Sequence, residues 1–495
     1  MPRRAVSVRS KSLTFVAVLA AAAAYATGFR PTDASGESGT LPGDSEMLPG
    51  GTATTPGSTD HPDAFSRFSH GIGFEGEARF KLGNAIFRKQ WVSAPSSTRS
   101  SDGLGPLYNA RACQNCHLKD GRGRPPADGE AGVSMFLRLS IPPLTDQHRK
   151  MLAEHLANVI PEPTYGGQLQ NFAIQGHAPE GQMAITYEDL PVTLGDGSMV
   201  RLRKPSYAVA QPGYGALHPK VMLSPRVAPQ MIGLGLIEAV PEAMINEAAD
   251  PDDRNSDGVS GRASAVWSRE HGRIMLGRFG WKAGNPSIRQ QSADAFNGDM
   301  GLSNVLFPSS SGDCTDAQAE CRTAPNGNSP KPDDPEVSEQ LLDLVTFYAQ
   351  NLAVPMRRNA DAPEVMHGRS IFHGIGCSSC HRPSLRTGDV PGQLHLSNQT
   401  IWPYTDVLLH DMGDGLADNR PEGTATGSEW RTAPLWGIGL TQTVSGHTFL
   451  LHDGRARNVA EAILWHGGEA QRARDAYAAL TREERDALVA FVNSL

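Results

Sequence analysis

The chain has 495 residues, enough for two to four domains, with Lys+Arg 45 against Asp+Glu 53 and a formal charge of -8. That balance argues against nucleic-acid binding, which needs a basic patch or stripe. Gly 52, Pro 36 and only 6% aromatic residues describe a loop-rich globular chain rather than a coiled coil or a multi-span membrane protein.

At the N-terminus, Arg3, Arg4, Arg9 and Lys11 precede an apolar run from Leu13 to Ala24 and the small-residue site Ala24-Tyr25-Ala26. Residues 1–26 read as a secretory signal. The alternative, an uncleaved anchor, is weaker because the run is too short to span a bilayer comfortably. Its removal leaves a charge of -12 over 469 residues. Residues 27–64 are rich in Gly, Ser, Thr and Pro, and this composition predicts a flexible tether.

Beyond it an order of features recurs. Gly83-Asn84-Ala85-Ile86-Phe87 and Gly368-Arg369-Ser370-Ile371-Phe372 each precede a Cys-x-x-Cys-His run. Each copy closes on an amphipathic helix with Leu-Val-x-Phe, at Leu344 to Phe347 and at Leu488 to Phe491. Thr481 and Glu484 form a capping box for the last helix, and Asp334-Pro335 marks the start of its counterpart. The pattern predicts a mainly α protein of two cytochrome c-like domains, 65–354 and 355–495. The first would carry a mixed loop and strand insertion over about 118–335.

The cysteines decide the chemistry. Chance placement would yield only ~0.002 matches to Cys-x-x-Cys-His, and the chain has Cys113-Gln114-Asn115-Cys116-His117 and Cys377-Ser378-Ser379-Cys380-His381. Two thiols one helical turn apart add across the vinyl groups of a haem, and the adjacent histidine is placed to ligate its iron. A zinc ribbon or a thioredoxin-like pair lacks its expected companions. Covalent haem c at Cys113, Cys116, Cys377 and Cys380 is therefore the reading, with His117 and His381 as proximal ligands. Cys314 and Cys321 read as a local disulfide in an oxidising compartment.

These motifs resemble those of the bacterial di-haem cytochrome c peroxidases, and most closely those of the di-haem oxidoreductase family. Further anchors are Gly103-Leu104-Gly105-Pro106, Arg278-Phe279-Gly280-Trp281-Lys282-Ala283, Asp299-Met300-Gly301 and Leu451-His452-Asp453-Gly454. The resemblance, running from about Phe65 to Leu495, implies Trp281 as the electron bridge between haems and Gln291, ten residues on, as a hydrogen bonder in the peroxide pocket. It implies Asp299 as acid/base, two residues nearer and one methylene shorter than the family's glutamate; a helix-capping aspartate is the rival reading.

Fourteen residues after His452, where the peroxidases carry a methionine ligand, stands His466, which would complete the second iron opposite His381. Two imidazoles hold a haem at lower potential than a histidine and a methionine. No distal partner for His117 stands out among His148, His155, His177, His218 and His271, and Met356 reads as a linker residue, so the first haem is expected to be open. Asp253, Asn255 and Asp257 match the start of a calcium loop, or else an Asx-rich turn, and Thr441 lies in the segment corresponding to the family's calcium site.

The expected protein is a periplasmic di-haem oxidoreductase that reduces hydrogen peroxide with electrons from a small carrier, a cytochrome c or a cupredoxin. The rivals are a di-haem oxidase or oxygenase acting on an organic or protein substrate, and a non-enzymatic electron-transfer cytochrome. No nucleic-acid partner and no membrane anchor after signal cleavage are expected.

Overall fold

In the computed structural model, residues 45–57, 59–328 and 334–495 are described; the expected signal, 1–26, and the tether residues 27–44 lie outside them. The core of each half is a pair of crossed helices held close by a glycine. Gly73–Phe87 crosses Glu339–Gln350 at Gly83, where an added Cβ would sit 2.2 Å from the Leu344 carbonyl oxygen and 2.7 Å from Tyr348 Cβ. Pro363–Gly374 crosses Arg482–Ser494 at Gly368, where a Cβ would sit 1.9 Å from the Ala487 carbonyl oxygen and 2.8 Å from Phe491 Cβ. No other residue fits either crossing.

The two crossings fix the internal repeat more sharply than the sequence pattern. Phe87 and Tyr348 rings are 5.1 Å apart, and so are Phe372 and Phe491. Tyr348, not Phe347, is therefore the counterpart of Phe491, and the shared Leu-Val-x-Phe pattern is one residue out of structural register. Thr481 and Glu484 form the capping box read from the sequence. The earlier helix is capped by Ser338, four residues beyond Asp334.

The expectation of a mainly α protein is overturned. The fold is mixed α/β, and its strands pair into seven two-stranded sheets among the described residues. The largest is a hairpin of two twelve-residue strands, Gln182–Thr193 and Met199–Ala210. Strands are not confined to the expected insertion. Val92–Ser93 pairs with Asp102–Leu104 before it, and Leu385–Arg386 with Thr400–Ile401 and Leu409–Asp411 with Glu429–Arg431 lie in the second half. These strands are two or three residues long and find partners up to 22 residues away, so local periodicity carries no trace of them.

The hairpin reaches the second half. At its turn Gly195 donates to the Ala478 carbonyl at 2.7 Å and Asp196 pairs with Arg485 at 2.6 Å; nearer its base Tyr207 donates to Asp453 at 2.8 Å. A second tie comes from the expected tether, which is packed from Glu46 onward. Glu46 is 1% exposed, ion-pairs with Arg357 and with Arg369 (3.2 Å), and accepts from the Tyr404 hydroxyl at 2.5 Å. Ala53, Ala64 and Phe65 then enter the core. Two arginines that need a carboxylate in a dry interior outweigh the polar composition of the segment.

Removing one partner of a buried ion pair leaves the other charge uncompensated, which costs about 3–5 kcal/mol. Glu46→Ala is accordingly expected to destabilise the holoprotein by about that amount in urea unfolding, whereas loss of a free tether would leave the midpoint unchanged.

Candidate functional site

A cavity of about 540 Å³ in the second half is lined by Cys377, Cys380, His381 and His466, with Trp281, His410, Trp430, Arg431 and His452 on its walls. The His381 and His466 rings face each other across it, with centroids 6.5 Å apart. Two imidazoles sharing one metal need about this spacing, since bonds of about 2 Å and ring half-widths of about 1 Å on each side span roughly 6 Å.

Each ring is aimed by its other nitrogen. His381 Nδ1 lies 2.9 Å from the Tyr404 carbonyl oxygen and His466 Nδ1 2.7 Å from that of Ala462, which leaves both Nε2 atoms for a ligand. Burial pushes the His381 pKa down to about 4 and that of His466 in the same direction, so both rings are neutral and can donate a lone pair. Apolar walls, two adjacent thiols and two opposed neutral imidazoles fit a covalently attached haem.

The first motif is built the same way. Cys113–Cys116 forms a single helical turn, His117 Nδ1 is 2.9 Å from the Pro229 carbonyl oxygen, and burial lowers the His117 pKa to about 4. Phe87 lies 6.3 Å from the His117 ring, as Phe372 lies 6.4 Å from His381. The halves differ in what stands opposite. Among the described residues no second imidazole faces His117 as His466 faces His381.

Asp299 sits beside this motif. Its carbonyl accepts from the Asn109 and Ala110 amides, at 2.8 and 3.2 Å, and its carboxylate accepts from Gln168 Nε2 at 2.8 Å. Burial raises its pKa, while Arg138 and the Gln168 hydrogen bond pull it down. The carboxylate is near enough to add to the burial that pushes the Cys113 thiol up to about 12 and Cys116 higher. Asp299 does not cap a helix N-terminus: it lies in the last turn of Ile288–Met300, whose N-cap is Ser287.

Trp281 lies on the wall of the second cavity. Its Nε1 donates to the Val227 carbonyl at 2.9 Å, and the Arg122 guanidinium lies 5.1 Å over its ring. Gln291 is on the same helix as Asp299 and comes within 3.8 Å of where a Cβ on Gly280, the neighbour of Trp281, would stand; its Oε1 accepts from Asn285 at 3.1 Å.

A model of the family described as "Di-haem oxidoreductase, putative peroxidase" matches residues 45–495. The chain belongs to this di-haem oxidoreductase family. The family's name carries the cofactor: the second Cys-x-x-Cys-His motif lines the cavity that fits one haem, and the first, whose histidine is aimed in the same way, offers the matching place for the other. No curated protein matches the chain. Among solved structures, the diheme peroxidase BthA of Burkholderia thailandensis E264 is 15% identical over 84% of this chain and 86% of its own, with a TM-score of 0.33. Hydrazine synthase of Kuenenia stuttgartiensis is 19% identical over 33% of this chain, which spans 57% of that one, with a TM-score of 0.22.

Of the remaining candidates of this di-haem oxidoreductase, Asp257 lines the second cavity at the edge of its own loop. In the 253–258 loop, Asp253 accepts from the Asp257 and Gly258 amides, Asn255 Oδ1 from the Asp257 amide, and Asp257 from the Val259 amide, as in Asx turns. The Thr441 hydroxyl donates to the Ile438 carbonyl at 2.6 Å. Among the described residues no group of three His, Cys, Asp or Glu side chains stands ready for a bare metal ion. Cys314 and Cys321 are joined in a disulfide.

Several residues near the two motifs receive no role from the sequence pattern. Arg138, on the strand Met135–Ser140, answers the charges of Asp294, Asp299, Asp313 and Glu422. His452 stacks on Trp430 at 3.7 Å, and His410 is held between two carboxylates. Their partners are scattered along the chain, so no spacing rule groups them.

If His466 is the sixth ligand of the second haem, His466→Ala leaves two haems per chain in a pyridine haemochrome assay and adds a high-spin component to the oxidised spectrum. A spectrum that keeps its low-spin share would assign that ligand elsewhere.

Proposed function

We propose that the protein reduces hydrogen peroxide to water in the periplasm, with electrons from a small cytochrome c or cupredoxin. In this reading the second haem, in 355–495, receives the electrons and the first, in 65–354, meets the peroxide. The observation that carries it is the asymmetry between the halves: His381 faces a second imidazole, while among the described residues His117 has none opposite, and an enclosed carboxylate, Asp299, stands beside its motif. Among the described residues no helix is long and apolar enough to cross a membrane.

Bound haem supplies the electron transfer to and from iron; the rest falls to the side chains. Reduction of one peroxide to two waters consumes two electrons and two protons, so a group must move a proton from one peroxide oxygen to the other as the O–O bond breaks. Asp299 takes that role. Gln168, donating to its carboxylate at 2.8 Å, fixes the oxygen that would receive the proton. Gln291, on the same helix as Asp299, takes the hydrogen-bonding role at the peroxide. Trp281 takes the role of contact between halves, its ring on the second cavity and its neighbour Gly280 beside Gln291.

Purified holoprotein should oxidise a reduced small donor when peroxide is added, and Asp299→Asn should slow this by about 10²–10⁴-fold, the range for a positioned acid/base. The deprotonated carboxylate is the form that accepts the proton. The rate should therefore fall on acidification through a pKa above the ordinary carboxylate range, and the variant should lose that limb. Absence of peroxide-dependent turnover in the oxidised, half-reduced and fully reduced forms would remove the proposal.

A further inference from the structure

His410 stands at the second cavity with a carboxylate on each ring nitrogen. Nε2 is 2.8 Å from Asp406 Oδ2 and Nδ1 is 2.7 Å from Glu469 Oε2; all three side chains are nearly buried, at 3, 5 and 9% exposure. A neutral imidazole has one N–H, so one nitrogen would turn a lone pair toward a carboxylate oxygen. Both contacts are satisfied only by the imidazolium. His410 is therefore a fixed cation between two anions, and the triad carries a net negative charge.

The triad is held firmly and lies against the attachment site. His410 Nδ1 is 3.5 Å from Cys380 Sγ, the atom that becomes the thioether sulfur on the haem. Asp406 accepts from the Leu408 amide at 2.9 Å through its other oxygen. It sits between Tyr404 and Val407, both in the left-handed region at φ 53° and 65°, where a bulky or β-branched residue is strained. Glu469 follows His466 by three residues and accepts from the Ser260 amide and hydroxyl at 2.9 and 2.8 Å and from the Asp411 amide at 3.1 Å. Two arginines face the triad: Arg431, on the same cavity wall and facing Asp406, spends Nε and Nη1 on the Gly280 and Thr432 carbonyls, and Arg262, facing Glu469, is paired with Glu429.

We propose that Asp406, His410 and Glu469 form a built-in charge element that holds down the reduction potential of the second haem. The proposal rests on the reading that this cavity holds a haem between His381 and His466. Reduction adds an electron beside the triad's negative charge, and in a site with little water that repulsion is weakly screened. The effect has the same sign as that of two imidazole ligands. Together they make the second haem a strong reductant toward the first, rather than a high-potential electron store. The three residues are positioning and charge-setting groups and touch no substrate.

Asp406→Asn and Glu469→Gln each remove one negative charge while keeping size and hydrogen-bonding atoms. In spectroelectrochemical titration of the holoprotein, each is expected to raise the second haem's midpoint potential by a tenfold change in the reduced-to-oxidised ratio, about 59 mV for one electron, without moving the first. The double variant is expected to shift further in the same direction. The low-spin spectrum and two haems per chain should persist in all three, which a purely structural role would not predict together with a potential shift. An unchanged or lowered second potential, or equal shifts at both haems, would overturn the proposal even with peroxide turnover intact. A second cavity without attached haem would instead sink the reading on which it rests.

Discussion

The arrangement of the two Cys-x-x-Cys-His motifs and of His466 depends on one hydrogen bond made three times. His117, His381 and His466 each commit Nδ1 to a backbone carbonyl, those of Pro229, Tyr404 and Ala462. The bond fixes the tautomer, stops ring rotation and leaves a neutral Nε2 pointing inward. A backbone carbonyl cannot swing away as a side chain can, so ring orientation is inherited from the chain path. For His381 that path is strained: Tyr404 is left-handed, and its ring is wedged among Phe372 and Phe491 while its hydroxyl is held by Glu46. An N-terminal residue thus helps aim a ligand in the second half.

The same connectivity explains why the halves act as parts of one protein. The long hairpin and the Glu46 strap both tie early chain segments to the second half through buried or half-buried charges. Burying an arginine is tolerable only with a partner, and here the partners come from the opposite end of the sequence. Trp281 is fixed separately, its indole N–H on Val227 and Arg122 over its ring. A bridge between redox centres needs such fixed distances, because a loosely hinged pair would vary its separation with every domain motion.

The repeat was legible because haem attachment and glycine crossings are local necessities: a thiol pair must be three residues apart, and Gly83 and Gly368 are the only residue type that lets two helix backbones approach so closely. The register of the partner helices was not, since Leu-Val-x-Phe aligns Phe347 with Phe491 while packing selects Tyr348. Short strands such as Leu409–Asp411 were missed for a related reason. Their stability comes from Glu429–Arg431, a partner absent from any local window. The buried Glu46, Ala53 and Ala64 were hidden by the composition of the segment around them, which says nothing of the arginines waiting elsewhere.

What the sequence determined by itself was chemistry whose geometry is written in consecutive residues: two Cys-x-x-Cys-His motifs, the final capping box, and an acidic chain led by an apolar segment. What only the tertiary structure decided was which groups oppose one another. It sets His466 across from His381, places no second imidazole opposite His117 among the described residues, brings Gln168 to Asp299, and encloses His410 between Asp406 and Glu469. Covalent and helical constraints act over a few bonds and so survive in the sequence, whereas electrostatic pairing in a dry interior acts through space and is settled only when the chain has folded around it.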